Sequence, residues 1–238
     1  MREAGRISAR ALALGGEAVR PGVSTAHINK IIHDYIISQG AKPNFLGLYG
    51  FPASACISVN DMVIHGIPHA SVVLQEGDIV SIDTGAVYKG WHGDNAGTFA
   101  AGRISEEAQR LIDVTRESFD RGMAAAVAGN RIGDIGHAVQ EYVEANGFSV
   151  VREYVGHGLG RELHEDPEVP NYGHAGRGVR LVPGMTLAIE PMVNAGAPEV
   201  RQLPDGWGVK TKDGSLSAHF ERSIAITAKG PVILTDPE

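Results

Sequence analysis

Four carboxylates and one histidine stand at strand-like positions of this 238-residue chain: Asp83, Asp94, His157, Glu190 and Glu221. Asp83 closes the apolar run Ile79-Val80-Ser81-Ile82. Glu190 closes Leu187-Ala188-Ile189 ahead of Pro191, and Glu221 lies in the apolar stretch Ala218–Ile224. Carboxylates on such strands are poor candidates for solvated charges, and several anions buried together require counter-charge. Four negative charges balance two divalent cations, with imidazole adding a nitrogen ligand. The oxygen-rich set differs from the sulfur-rich closed sites of structural zinc and suits Mn, Fe, Co or Mg-like ions, or a catalytic zinc. A two-ion centre of that kind activates water and steadies an oxyanion, which is hydrolytic chemistry.

Blander readings stand beside this one. Lys89-Gly90 reads as a two-residue turn, so Asp83 pairs across from position 96 and Asp94 is its diagonal neighbour on the same face. That pair alone is compatible with two solvated hairpin acids, and Arg222 alone could neutralise Glu221. His157 and His164 share the stretch Gly156-His157-Gly158-Leu159-Gly160-Arg161-Glu162-Leu163-His164-Glu165, whose glycines permit close backbone approach. It lacks the Gly-Lys-Ser/Thr ending of a phosphate loop, and it is not a His-Glu-x-x-His zinc helix. His65, in an extended segment closed by Pro68, taken singly reads as structural. No Gly-x-Ser-x-Gly elbow occurs, and Cys56 reads as a small buried residue. His27, His33 and His137 read as solvated helix positions. His69, His92, His174 and His219 are undecided, with His219, two residues from Glu221, a candidate to support the acids from behind.

Two halves of the chain must bring these groups together, and they share one register. At an offset of 107, Asp83 falls on Glu190, and the same offset carries Gly22 onto Gly129, Ile28 onto Ile135 and Gly40 onto Gly147. It also carries Asp34 onto Glu141 and Tyr35 onto Tyr142. A helix-like block and a strand-like block in common register imply a duplicated αβ unit, each copy bringing an acid to a shared centre. Helices are expected at 2–20, from Ser24 or Thr25 to about Ser38, from Ser105 to about Ala128, and at 132–146. Extended segments are expected at 52–60, 62–67, 78–88, 91–100, 148–157, 185–193, 206–212 and 215–227. Asp213-Gly214 signals a hairpin between the last two. Residues 165–183, with their prolines and glycines, read as a long loop. No linker separates the halves, so one domain over 1–238 is expected, with pseudo-repeat halves near 1–104 and 105–238.

Composition narrows the class. Hydrophobic residues make up 43% of the chain, enough for a sizeable core. No apolar run reaches membrane-span length, and the start lacks a signal-peptide core. One cysteine excludes an internal disulfide framework and fits a reducing cytoplasm. A net charge of −7 gives no general pull toward nucleic acid.

Across nearly its full length the chain resembles the type I methionine aminopeptidases. The resemblance rests on Cys56-Ile57-Ser58-Val59-Asn60 with His65-Gly66-Ile67-Pro68, on Ile82-Asp83 with Trp91-His92-Gly93-Asp94, and on Gly156–Gly160 with Leu163-His164-Glu165. It continues through Ile189-Glu190-Pro191-Met192-Val193 and through Lys210-Thr211-Lys212-Asp213 to Phe220-Glu221. It implies an α/β (α+β) pita-bread fold, two pseudo-symmetric αβ halves around a dinuclear centre. Asp83, Asp94, His157, Glu190 and Glu221 then match the metal ligands, with Asp94 and Glu221 bridging, and the ions are Co, Mn, Fe, Zn or Ni. His65 and His164 match the substrate-contacting histidines.

The implied reaction is attack of a bridging hydroxide on the carbonyl of an N-terminal methionine of a nascent chain. Glu190 is the implied base, His164 the oxyanion partner, and His65 addresses the scissile amide. Phe51, Cys56 and Trp207 match the methionine pocket, and a small second residue is preferred. Leu48, Phe51 and Leu163 depart from aromatic residues of some members, which bears on pocket width. The backbone near Asn60, Met62 and Ser217 matches a monovalent-cation site of some relatives. A monomer near the ribosome is implied, with no specific nucleic acid and no membrane. A few residues usually precede the first helix in this family, so a truncated start is expected. The rivals are a proline-directed aminopeptidase of the same fold, which usually carries a large extra N-terminal domain, and a metal-free binding protein, which typically loses ligands. Type II enzymes carry an insertion in the second half, whereas 26 positions separate His164 from Glu190 here.

Overall fold

A computed structural model describes residues 1–237. The first half runs α1 (Arg2–Glu17), α2 (Thr25–Ser38), β1 (Lys42–Pro43), β2 (Ala55–Val59), β3 (Met62–Ile64), β4 (Ile79–Tyr88) and β5 (Trp91–Ala100). The second opens with α3 (Glu106–Ala125), α4 (Ile132–Ala145), β6 (Ser149–Val150), β7 (Gly156–Gly158), β8 (Glu165–Val169), β9 (Thr186–Ile189) and β10 (Met192–Asn194). It closes with β11 (Val200–Gln202), β12 (Val209–Thr211), β13 (Ser217–His219), β14 (Glu221–Thr227) and β15 (Gly230–Ile233). Nine strands form one antiparallel sheet along the path β1-β4-β5-β14-β9-β7-β8, with β2 also on β4 and β15 on β14. Two three-stranded sheets, β13-β10-β6 and β11-β12-β3, flank it.

The sequence repeat is a structural one. Helix α2 shifted by 107 is α4, residue for residue. Ile28, Ile32 and Ile36 line the buried stripe of the first, and Ile135, Val139 and Val143 that of the second. These are i, i+4 steps along one helix face, which is why each helix lies flat on its core. Ser24 caps α2 through the His27 N–H, whereas in α4 the Asp134 carboxylate reaches back to the Arg131 N–H at 2.7 Å.

Helices cover one face of the large sheet. Helix α1 lies so close on β5 that a Cβ at Gly93 would stand 2.5 Å from the Gly5 nitrogen. Only glycine permits that approach. Ile82 meets α1 beside Gly15, and Ile189 meets α3 beside Gly122. The neighbouring residues, Asp83 and Glu190, therefore point to the other face, away from the helices.

Several expectations change. The runs 148–157 and 215–227 each divide into two strands that join different sheets, β6 and β7 in the first and β13 and β14 in the second. The Asp213-Gly214 turn exists, with Gly214 at φ 79°, but it joins β12 and β13, which belong to different small sheets. The Asp213 carboxylate instead accepts the N–H groups of Ala197 and Ser215, which hold it down at about 2. Part of the 165–183 loop is strand: β8 pairs with β7. The extended run 185–193 is two strands in two sheets, because Pro191 has no N–H to continue a ladder. His33 is not simply solvated, since its Nδ1 meets the Ser54 hydroxyl at 2.8 Å.

Candidate metal centre

One row of the sheet carries most of the site. Cys56 pairs with Asp83, Asp83 with Ala96, and Ala96 with Glu221. Arg222 pairs with Ile189, so Glu190 follows at the end of β9, on the level of Glu221. Asp94 sits opposite Gly85, two residues along β5 from Ala96 and diagonal to Asp83. This is the geometry expected from a Lys89-Gly90 turn, whose two residues both have positive φ, 51° and 74°. Register partners share a face, so the acids converge above Ala96, which has only a methyl to occupy the space between them.

His157 enters from β7, which pairs with β9. Its Nδ1 donates to the Gly158 carbonyl at 2.8 Å, leaving the Nε2 lone pair toward the acids. Nε2 lies 3.6 Å from Glu190 Oε1 and 4.0 Å from Asp94 Oδ2. Burial holds the His157 pKa down at about 4, so the ring is neutral near pH 7 and these approaches are not ion pairs. A lone pair facing two carboxylates leaves room for something positive between them.

Donor atoms of Asp94, His157 and Glu221 all lie within 4.8 Å of one another. Asp83 Oδ1, Asp94 Oδ1 and Glu221 Oε1 are buried with no hydrogen-bond partner. Burial first, then the neighbouring acids, push Asp83, Glu190 and Glu221 well above the usual carboxylate range. Burial raises Asp94 to about 7. Arg222 only partly offsets the burial of Glu221, because its guanidinium bonds to backbone carbonyls of Ala96 and Glu221. Orphaned oxygens, mutual repulsion and a neutral imidazole are what a divalent-cation centre looks like without its counter-charge.

A cleft of about 630 Å³ opens over this row. Phe45, Phe51, Cys56 and Trp207 line one side, with Phe51 and Trp207 edge-on at 5.1 Å between ring centroids. The Cys56 thiol is pushed up by burial and by the nearby acids, so it is a neutral wall group. His164 stands at the rim, its ring 4.5 Å from that of His157 and 6.5 Å from that of Tyr49. His65 adopts a left-handed φ of 59° and packs edge-on to Tyr154 at 5.8 Å. A non-glycine residue held there is strained, a feature that clusters at functional sites. Burial lowers His65 to about 4 and also lowers His164.

Every residue expected in the site is thus in or around one cleft. His219, undecided from the sequence, joins the site, and two contributors, Tyr49 and Ala96, were not expected. His219 is buried with Nε2 3.6 Å from Glu190 Oε2, and burial lowers its pKa to about 3. Its place two residues from Glu221 was the available signal. Tyr49 is exposed over the rim at φ 50°, and Ala96 has no side-chain signature at all. Near the expected monovalent site, the Ser217 N–H donates to the Asn60 carbonyl at 3.0 Å.

The sequence pattern of metallopeptidase family M24 matches residues 1–228. The chain belongs to that family. It is a metallopeptidase hydrolase, and M24 membership brings divalent metal ions with it. The methionine aminopeptidase of Clostridium perfringens is 57% identical over 235 residues, covering 99% of this chain and 94% of that one. Among solved structures, a methionine aminopeptidase from Thermotoga maritima superposes with a TM-score of 0.98 at 46% identity, covering 99% of this chain and 95% of that one. The prolidase from Pyrococcus furiosus superposes at 0.76 with 24% identity, covering all of this chain and 63% of that one, a likeness of fold alone. The M24 architecture, the pita-bread fold, is what the duplicated halves build.

Proposed function

We propose that this chain removes methionine from the N-terminus of peptides and nascent proteins, as a type I methionine aminopeptidase. The observation that carries this is the row of four acids with His157, roofed by an apolar cleft that holds two further neutral histidines. Asp83, Asp94, His157, Glu190 and Glu221 would hold two divalent ions. Such ions supply water activation at neutral pH and polarisation of the scissile carbonyl. Co, Mn, Fe, Zn and Ni all suit the donor set, and availability decides among them.

The chain's own groups do the rest. Glu190, flanked by the Nε2 atoms of His157 and His219, would be kept ionised by the cations and takes the proton of the attacking water on its carboxylate. Neutral His164 donates a ring N–H to the oxygen that becomes an oxyanion. Neutral His65 presents its ring to the scissile amide. The methionine side chain occupies the wall of Phe45, Phe51, Cys56 and Trp207, where a polarizable thioether packs well against aromatic edges. The exit beside Leu48 and Tyr49 favours a small second residue. Backbone oxygens near Asn60, Met62 and Ser217 are assigned to a monovalent cation. We place the enzyme in the cytoplasm as a monomer that meets its substrates near the ribosome. No described helix is long and apolar enough to cross a membrane.

The test is release of free methionine from Met-Gly-Met-Met and Met-Leu-Met-Met by metal-stripped protein with Mn²⁺ or Co²⁺ restored. Metal-dependent cleavage of the glycine peptide, with the leucine peptide spared, is expected. Folded protein that cleaves neither with any metal refutes the activity. A proline-directed activity has no observation in its favour beyond the shared fold.

A further inference from the structure

The two halves of the large sheet meet along β5 and β14, and this seam is short of strand pairing. Only Glu221↔Ala96 and Arg222↔Asn95 are in register there, whereas β4 and β5 pair along their whole length. Side chains of β14 supply what the ladder lacks. The Ser223 hydroxyl, fully buried, donates to the Asp94 carbonyl at 2.8 Å and accepts the Asp94 N–H at 3.1 Å. Both main-chain groups of one acid of the first half thus end on a single oxygen of the second. Ser223 is itself anchored: its N–H meets Thr235 Oγ1 at 3.1 Å and its carbonyl accepts the Leu234 N–H at 2.8 Å. One residue earlier, Arg222 reaches the carbonyls of Ala96 and Glu221 at 2.9 and 2.6 Å, its guanidinium 4.3 Å from the centre of the Phe220 ring.

We propose that Ser223 is a positioning residue whose hydroxyl fixes Asp94 of the first half against Glu221 of the second. It thereby sets the separation of the two carboxylates. The proposal rests on the reading of Asp94 and Glu221 as ligands. Removing the hydroxyl leaves a buried N–H and a buried C=O without partners at the place where the seam has fewest other bonds. Threonine keeps the hydroxyl, so it retains the tie.

Metal-stripped wild type, Ser223→Ala, Ser223→Thr and Asp94→Asn are titrated with Mn²⁺ by calorimetry and assayed on Met-Gly-Met-Met. Ser223→Ala is expected to weaken Mn²⁺ binding and lower kcat by ~10-fold or more, the usual cost of losing support behind a ligand. KM is expected to move little, and Ser223→Thr to restore both quantities. Ser118→Ala removes an equally buried hydroxyl, one that donates to the Thr115 carbonyl within α3. It is expected to lower Tm without changing Mn²⁺ affinity. Wild-type Mn²⁺ affinity in Ser223→Ala, with affinity lost in Asp94→Asn, overturns the positioning role alone. Wild-type affinity in Asp94→Asn as well overturns the ligand reading and the proposal with it. If Ser223→Ala does not fold, Ser223→Cys takes its place; intermediate Mn²⁺ affinity supports the proposal and wild-type affinity overturns it.

Discussion

The first half and the second half make the same bonds and carry different side chains to the shared centre. Gly22 N–H donates to the Leu74 carbonyl, and 107 residues on Gly129 N–H donates to the Leu181 carbonyl. Thr25 to Val72 is repeated by Ile132 to Val179, and the bridge Ser24↔Val73 by Arg131↔Arg180. The edges of the shared centre differ. On β4 lies β2, which places Cys56 beside Asp83 and continues into the apolar wall. On β9 lies β7, which places His157 beside the acids and leads to His164. The acids differ as well: Asp83 has Asp94 on its diagonal, while Glu190 stands level with Glu221. The repeat supplies the shared frame, and the strands beside the two acids differ; on the proposed function this makes one wall a pocket and the other a proton-handling face.

If that asymmetry is functional, equivalent positions must respond unequally. Glu190→Gln and Asp83→Asn alter the same place in the repeat. Glu190 has imidazole nitrogens 3.6 Å from both carboxylate oxygens, whereas no imidazole approaches the Asp83 carboxylate in the same way. Glu190→Gln is expected to lower kcat ~10³-fold while Mn²⁺ still binds, the loss typical of a general base. Asp83→Asn is expected to weaken Mn²⁺ binding instead. Calorimetry beside steady-state kinetics separates the two, and equal behaviour of both variants would erase the distinction.

The shared frame predicts the opposite pattern. Ile28 and Ile135 are repeat mates, both fully buried. Truncation of either to alanine is expected to cost about 2–5 kcal/mol. We take residues 1–238 as one cooperative domain, so both variants should shift a single urea transition with an unchanged m-value. Two transitions, one moved by each variant, would show halves that fold separately.

The frame was the legible part. Glycines at turn positions and isoleucines at helical spacing are local signatures, so the repeat and the Lys89-Gly90 hairpin with its diagonal acids could be read from residues alone. What escaped were matters of partner choice between distant strands. Asp213-Gly214 has the composition of a hairpin turn, yet β12 and β13 part into separate sheets, and no local property of the turn encodes that. Ala96 and Ser223 matter through what lies opposite them, which spacing along one strand cannot reveal. His219 was visible as a neighbour of Glu221, but its approach to Glu190 depends on β13 running beside β10.

The apolar wall offers a smaller test. Phe51 is buried against Trp207 on the side of the cleft that lacks titrating groups. Phe51→Ala is expected to raise KM for Met-Gly-Met-Met about tenfold, equal to about 1.4 kcal/mol, with kcat less affected. A matching fall in kcat at constant KM would place Phe51 in the chemistry instead and blur the division between the walls.

The smallest expected effect concerns protein stripped of metal, where the two kinds of wall oppose each other. Asp94 titrates near 4 when unfolded and at about 7 when folded, so folding is favoured by protonation at this site. That contribution is complete below about pH 4 and is lost as pH rises through about 7. The histidines run the other way. His157 and His65 at about 4 and His219 at about 3 lie below the unfolded value near 6.5, so their contribution is present above about 6.5 and lost on acidification. Between pH 6.5 and 8 each of these histidines still gains about 0.4 kcal/mol as its unfolded form loses the proton, so the Asp94 contribution is read as the difference between wild type and Asp94→Asn. In EDTA, wild type is expected to lose about 1 kcal/mol, or about 2–4 °C in Tm, relative to Asp94→Asn across that window. Asp94→Asn should steepen the rise with pH in this window, because it removes the titrating group and relieves its neighbours. Parallel wild-type and Asp94→Asn profiles from pH 6.5 to 8 would mean the acids are already neutralised by something other than protons, and the centre would need a different account of its charge.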